Sequence, residues 1–248
     1  MQRYFVDPSA WRDNHITITG DDVHHIVRVM RGQTGDHLLI SDSNGRLAKV
    51  ELTALDAQQV DARVVEELPL VAEPTSPIWV AQAMPKADKM ELIVQKGTEI
   101  GVSAFMPYAS ARTIVQYDAK KQGKVVERWS KIAKEAAEQA HRDRLPVVHA
   151  PLSWKQMLAR IPETAATFIC YEKQTGLGLQ ASLAQVADDG RPVMVIVGPE
   201  GGFTEQEIAQ ATDAGAIAIT LGARILRTET AALVAASGIL FARGEMGG

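Results

Sequence analysis

The chain predicts an α/β protein in which a small β-rich unit precedes a mostly parallel sheet covered by helices on both faces. Three observations carry that reading. From Ile78 onward, short apolar runs alternate with helical periodicity, the texture of a parallel sheet. The run PVMVIVG at 192–198 is apolar throughout, as suits a strand buried on both sides. Residues 1–67 instead read as β-rich, with strand-like runs between turn signals, and LPLVAEPTSP, with three prolines and no periodicity, separates the two textures. This divides the chain into a first domain at 1–70, a linker at 71–77 and a second domain at 78–248.

In the first domain, Tyr4–Val6 and His15–Thr19 have strand character, and Asp21 is placed to cap a short helix running to Val29. Gly32 and Gly35 mark a turn before strand His37–Ser41. Ser43-Asn44-Gly45 then signals a hairpin, with Asn-Gly suited to positive φ. Leu47–Leu55 and Val60–Glu66 alternate as half-buried strands do, so a five- or six-strand barrel-like unit fits. His24, His25, Arg28 and Arg31 cluster around the one helix. They offer too few ligands for a metal and read either as an RNA-facing surface or as a solvated face.

In the second domain, strand Ile78–Ala83 leads to helix Lys86–Ile100, with Met90, Ile93, Val94 and Gly97 on its inner side and Gly101 ending it. Lys86 and Lys89 stand at the strand's carboxyl end, where a ligand would approach. After strand Val102–Pro107, a long helix spans Asp118–Ala140, its apolar stripe including Val125, Trp129, Ile132 and Ala136. It ends in the unusually polar EAAEQAHRDRLP, where Arg142 and Arg144 also suit the negative end of a helix dipole. Strand Val147–His149, a helix capped by Ser153, and strands Ala165–Tyr171 and Pro192–Gly198 follow. Thr204-Glu205-Gln206-Glu207 is a capping box that starts the next helix. Strand Ala216–Thr220 and the Ala-rich helix Ala231–Ala242 complete the chain.

Hydrophobic content of 46% and charged content of 23% are ordinary for a globular protein of 248 residues. No run approaches the ~20 apolar residues of a membrane span, and the N-terminus lacks the layout of a signal peptide. Cys170 is the one cysteine, which excludes an intrachain disulfide or a zinc cluster and points to the cytosol. The net charge is −4, yet residues 112–144 carry nine basic and five acidic groups. That segment is either a phosphate-binding patch or a solvated helix face.

Two strand-to-helix links carry more polar chemistry than a connection needs: VGPEGGF at 197–203 and LGARILRTETAA at 221–232. The first is neither a Walker A motif nor GxGxxG, which argues against nucleoside triphosphates and NAD. Its glycines allow close backbone approach, so the residues alone indicate a backbone-lined small-molecule pocket at neighbouring strand ends.

GPEGGF with its capping box, followed by LGARILRTETAA, resembles the paired signature of the RsmE family of ribosomal RNA methyltransferases, of the SPOUT class. MPKADKMELIVQKGTEIGV, RWSKIAKEAAEQAHRDRLP and HHIVRVMRGQTGD agree, so the resemblance covers almost the whole chain. Ala111 departs from it, since the family has a glutamate before Arg112. The resemblance implies a PUA-like RNA-binding domain followed by a deep trefoil-knot domain that binds S-adenosyl-L-methionine. It implies methylation of N3 of a uridine in 16S rRNA, with the assembled small ribosomal subunit and a second copy of the chain as partners, and neither metal nor membrane. The same chemistry on another RNA position is a near alternative. A silent RNA-binding scaffold is a different one, against which the intact loops speak.

Carried over by residue, the cofactor pocket draws on Tyr171 and Glu172; on Val197, Gly198, Pro199, Gly201 and Gly202; and on Leu221, Gly222, Ile225, Leu226, Arg227 and Thr228. Ile225 and Leu226 are expected to flank the adenine. Uracil N3 must lose a proton before its lone pair is nucleophilic, so a base or an anion-stabilising cation is needed. Arg227 is the candidate cation, and Glu229 the base or the group that orients Arg227. The structural alternative is that Glu229 or Thr228 caps the last helix while Arg227 pairs with Glu200. Arg3, Arg28, Arg31, Lys86, Lys89, Arg112 and Arg142 are the candidate RNA contacts.

Overall fold

The structure, a computed structural model, describes residues 1–114, 118–174 and 177–247. The chain forms two compact units, one of Met1–Glu73 with Ala137–Leu145 and one of Pro74–Ala136 with Pro146–Gly248.

The first unit is built on a six-stranded sheet of β1 (Arg3–Phe5), β2 (Trp11–Arg12), β3 (His15–Thr19), β4 (His37–Ser41), β5 (Leu47–Leu55) and β6 (Gln59–Glu67). Its order is β1-β4-β5-β6-β3-β2, with β1 parallel to β4 and the other pairs antiparallel. The period-two alternation puts Ile16, Ile18, Leu38, Ile40, Val50 and Leu52 into one core. Helix α1 (Asp21–His24) continues as a π-helical turn, His25–Val29. Asp21 does not cap it: Gly20 holds that place at φ 78°, and Asp21 and Asp22 lie in the first turn, where their charge favours the dipole. The hairpin also differs from expectation. Ser43 and Gly45, not Asn44, take positive φ, and Asp42 Oδ1 accepts the N–H groups of Asn44 and Arg46 at 2.8 and 2.9 Å. An aspartate-nucleated three-residue loop replaces the Asn-Gly turn.

The polar segment Ala137–Leu145 belongs to this unit because Asp143 and Arg142 are tied into it. The buried Asp143 carboxylate accepts Arg3 Nη1 at 2.6 Å and the N–H groups of Val71 and Ala72 at 2.7 Å. Arg142 Nε donates to Glu73 at 2.9 Å. Arg3 and Arg142 are 7% and 3% exposed, which corrects their assignment as RNA contacts. Turning either guanidinium outward would leave its carboxylate without its compensating charge, a heavy cost for a buried pair.

The second unit holds an all-parallel sheet of β7 (Ile78–Ala83), β8 (Val102–Ala109), β9 (Val147–Val148), β10 (Leu152–Ser153), β11 (Ala166–Cys170), β12 (Val193–Val197) and β13 (Ile217–Ile219). Its order is β10-β8-β7-β12-β11-β13, with β9 also on β8. The helices are α2 (Lys89–Ile100), α3 (Ala119–Gln139, reaching into the first unit's segment), α4 (Trp154–Leu158), α5 (Leu179–Leu183), α6 (Glu205–Asp213) and α7 (Thr228–Ala242). Strand β12 shows why its sequence is apolar throughout. Val193, Val195 and Val197 enter the core beneath α2 and α7, while Met194 and Ile196 enter the opposite core with Tyr108, Met157 and Phe203. Ser153 and Thr204 make the capping boxes of α4 and α6. Helix α2 starts three residues later than its periodicity suggests, because Ala87 takes φ 53° in a turn that precedes it.

Gly97 lets α2 lie close on the sheet. A Cβ there would stand 2.7 Å from the ring of Phe105, which is fully buried. Alanine would gain about 1 kcal/mol of helix propensity. Overpacking against an immobile ring costs about 1–3 kcal/mol or more and wins. Gly97→Ala is therefore expected to lower stability by about 1–2 kcal/mol in denaturant unfolding; a stabilised variant would show that Phe105 yields freely.

Candidate functional site

Strands β12, β11 and β13 are neighbours, so their carboxyl ends present three loops side by side. These loops enclose a cleft of about 510 Å³. All thirteen residues expected at the cofactor line it, from Tyr171 and Glu172, through the loop at 197–202, to Leu221–Thr228. Lys89, Glu200, Phe203 and Arg224 also line it and were not in that set.

The loop after β12 is shaped by a turn in which Gly202 N–H donates to Pro199 O at 2.9 Å, with Gly202 at φ 67°. Its carbonyls are held by buried side chains. Tyr108 O–H donates to Val197 O at 2.9 Å, and Thr228 Oγ1 donates to Gly198 O at 2.6 Å. Thr228 Oγ1 also accepts from Gln82 Nε2 at 2.8 Å. The Gln82 amide nitrogen can only donate, so the single threonine proton is committed to Gly198. Burial raises the Tyr108 phenol well above its usual pKa, which keeps it protonated as a donor. Gln82 and Tyr108 were missed because they sit in apolar strands. The one available signal was that Gln82 is the single polar side chain of IWVAQA. Thr228→Val keeps the shape but orphans Gly198 O and the Gln82 N–H. It is expected to cost about 1–3 kcal/mol in thermal unfolding, and no loss would mean that water replaces the hydroxyl.

Lys89 lies between two carboxylates, with Nζ 3.0 Å from Glu200 Oε1 and 3.3 Å from Glu229 Oε2. Hydrogen bonding to Glu200, with a further contribution from Glu229, raises the Lys89 pKa despite its desolvation. Burial works against the Glu200 carboxylate. Backbone N–H groups, Lys86 N–H among them, and the Lys89 ammonium nonetheless hold it below its usual range. Lys89 and Glu200 therefore both carry charge at neutral pH, and Lys89 is not the free cation expected for an RNA contact. Its charge is already spent on Glu200 and Glu229.

Arg227 is exposed at the N-cap of α7 and makes no side-chain cap bond. The structural alternative for these residues is not met, since Glu200 pairs with Lys89, Thr228 turns to Gly198, and no side chain among the described residues caps α7. Glu229 faces Lys89 from the first turn of α7. Ile225 is 89% exposed, whereas Leu226 is half-buried against the core. The backbone N–H groups of residues 223–227 make no hydrogen bond among the described residues.

Arg112 Nη1 donates to Gly201 O at 2.6 Å, which sets an exposed guanidinium on the rim of the loop. Where a glutamate was expected, Ala111 N–H donates to Glu207 Oε1 at 2.8 Å, so an acidic group meets this segment from α6 instead. Lys86, like Arg28 and Arg31 in the first unit, is exposed with no ion pair among the described residues.

The chain matches the family model of an RNA methyltransferase domain over residues 72–240 and that of an RNA methyltransferase PUA domain over residues 18–65. Ribosomal RNA small subunit methyltransferase E of Bacillus subtilis (strain 168) is 39% identical over 247 residues, covering 97% of this chain and 96% of the relative. The protein of that name in Mycobacterium bovis is 35% identical over 248 residues, covering 98% and 93%. The crystal structure of ribosomal RNA small subunit methyltransferase E from Neisseria gonorrhoeae bound to S-adenosyl methionine superposes with a TM-score of 0.85 at 29% identity, covering 97% of each chain.

Proposed function

The chain belongs to the family of ribosomal RNA small subunit methyltransferase E, and we propose that it transfers a methyl group from S-adenosyl-L-methionine to N3 of a uridine in 16S rRNA. The observation that carries this reading is the cleft at the ends of β11, β12 and β13, with a charged cluster in its wall and exposed Arg227 on its lining.

The lining fits the cofactor. Unpaired backbone donors at 223–227 suit the acceptor edge of an adenine, and half-buried Leu226 offers it an apolar surface. Gly202 gives a tight turn from which main chain, rather than side chain, meets the ligand. When bound, the cofactor supplies an activated methyl, so the protein's task is to align the attacking atom and manage its proton. Arg227 places a guanidinium where negative charge grows on the uracil as the N3 proton leaves. Glu229, which faces Lys89 at 3.3 Å, takes that proton or orients Arg227.

RNA phosphates are read by Arg28 and Arg31 of the first unit and by Lys86 and Arg112 of the second, all four exposed. A knotted path for the second domain is supported by strand order. The chain runs β11, β12, β13, yet β11 lies between the other two. A homodimer is supported by α7, which is apolar nearly all round and leaves Val234 and Phe241 at 41% and 68% exposure. Action in the cytoplasm on the assembled small subunit is part of the same proposal. Among the described residues, no helix is long and apolar enough to cross a membrane.

The test is methyl transfer from labelled S-adenosyl-L-methionine to small subunits from a strain lacking this gene, with the nucleoside identified by mass spectrometry. N3-methyluridine is expected. Another methylated nucleoside would move the substrate, and no transfer to subunits or free rRNA would favour a non-catalytic RNA-binding role.

A further inference from the structure

We propose that Lys89 is a positioning residue that clamps the loop after β12 to the first turn of α7 and so holds the cofactor cleft in its binding shape. The inference rests on the reading that this cleft takes S-adenosyl-L-methionine.

The geometry places one ammonium at the meeting point of two segments that are remote in sequence. Glu200 belongs to the GPEGG loop and Glu229 to α7, and both reach the same nitrogen. A lysine suits this task, because its ammonium is a compact point charge with three donors and accepts carboxylates from different directions. Glu229 Oε2 is buried and has no hydrogen bond among the described residues, so the Lys89 charge at 3.3 Å is what offsets its burial. The Lys86 N–H adds a second hold on Glu200 at 3.1 Å, which ties the loop to the end of β7 as well.

Removing the ammonium would leave two carboxylates facing one point without compensation. Their repulsion and desolvation would push the GPEGG loop away from α7, and the wall between them would open. Neutralising both carboxylates should then relieve most of the damage. An RNA-contacting lysine would behave differently, since its loss would lower RNA affinity and the salt dependence of binding while leaving the cofactor untouched.

The experiment is calorimetric titration of the full chain with S-adenosyl-L-methionine, together with kcat and KM on small subunits and a thermal melt of each variant. Lys89→Met is expected to weaken cofactor binding about 10- to 100-fold, with Lys89→Arg recovering part of the loss. The triple variant Lys89→Met, Glu200→Gln, Glu229→Gln is expected to bind more tightly than Lys89→Met alone. In the wild type, binding should persist into acid and fall off as Glu200 protonates, below the ordinary carboxylate range, because a depressed pKa keeps its contribution until the pH passes through that lower value. Glu200→Gln should remove this acid limb. Wild-type affinity in Lys89→Met, or a triple variant no better than the single one, overturns the clamp while leaving the cofactor assignment standing. A wild-type chain that gives no heat with S-adenosyl-L-methionine overturns the cofactor reading and the clamp with it.

Discussion

Replacing Arg227 with alanine is expected to lower turnover about 100- to 1,000-fold while leaving S-adenosyl-L-methionine affinity within about threefold. The split follows from where the side chain sits. Arg227 is exposed on the cleft lining and has no carboxylate partner among the described residues, so the protein's own structure does not consume its charge. Its backbone begins α7 and survives the substitution, which preserves the loop that holds the cofactor. What disappears is a cation available when N3 of uracil gives up its proton, and that interaction strengthens only as the anion develops. Single-turnover rates on small subunits, beside calorimetric affinities, separate the two effects. Equal losses in binding and turnover would make Arg227 a cofactor ligand instead.

Asp143→Ala is expected to destabilise the first unit by about 3–5 kcal/mol, an effect far from the cleft chemistry. Its side chain is 1% exposed, and it compensates Arg3, whose side chain is 8% exposed. The same carboxylate satisfies the N–H groups of Val71 and Ala72. Alanine would leave a buried guanidinium without its counter-charge and two backbone donors without acceptors, and Arg3 Nε already lacks a partner among the described residues. Hydrogen exchange and denaturant unfolding, followed for residues 1–73, would register the loss. A change below about 1 kcal/mol would mean that water reaches the pair and that Arg3 is less committed than its burial implies.

Most of the fold was legible because its signals are local. Strands His15–Thr19, His37–Ser41, Leu47–Leu55 and Ile78–Ala83 appear with the expected bounds, the alternating Leu47–Leu55 because side-chain period and sheet face are the same fact, and Ile78–Ala83 as a short apolar run. The boxes at Ser153 and Thr204 start helices because both partners of each lie within four residues. The two loaded loops were legible for a related reason. Glycine, capping residues and arginine crowded between a strand and a helix mark a backbone bent for a ligand wherever the loop later lies.

What the sequence and the family resemblance it carries determined, then, was the order of the main elements, the two textures and the thirteen residues that came to line one cleft. Tertiary structure decided the fate of the charges. Arg3, Lys89, Arg112 and Arg142 looked alike as basic side chains near turns and helix ends. Folding buried Arg3 and Arg142 in ion pairs, spent Lys89 on two distant carboxylates and left Arg112 on a rim. The segment Ala137–Leu145 likewise joined the first unit through Asp143, although its neighbours on both sides belong to the second. A strand or a cap is written in residues a few positions apart, whereas a charge takes its meaning from burial and from partners on the order of a hundred residues away, and only the folded chain brings those together.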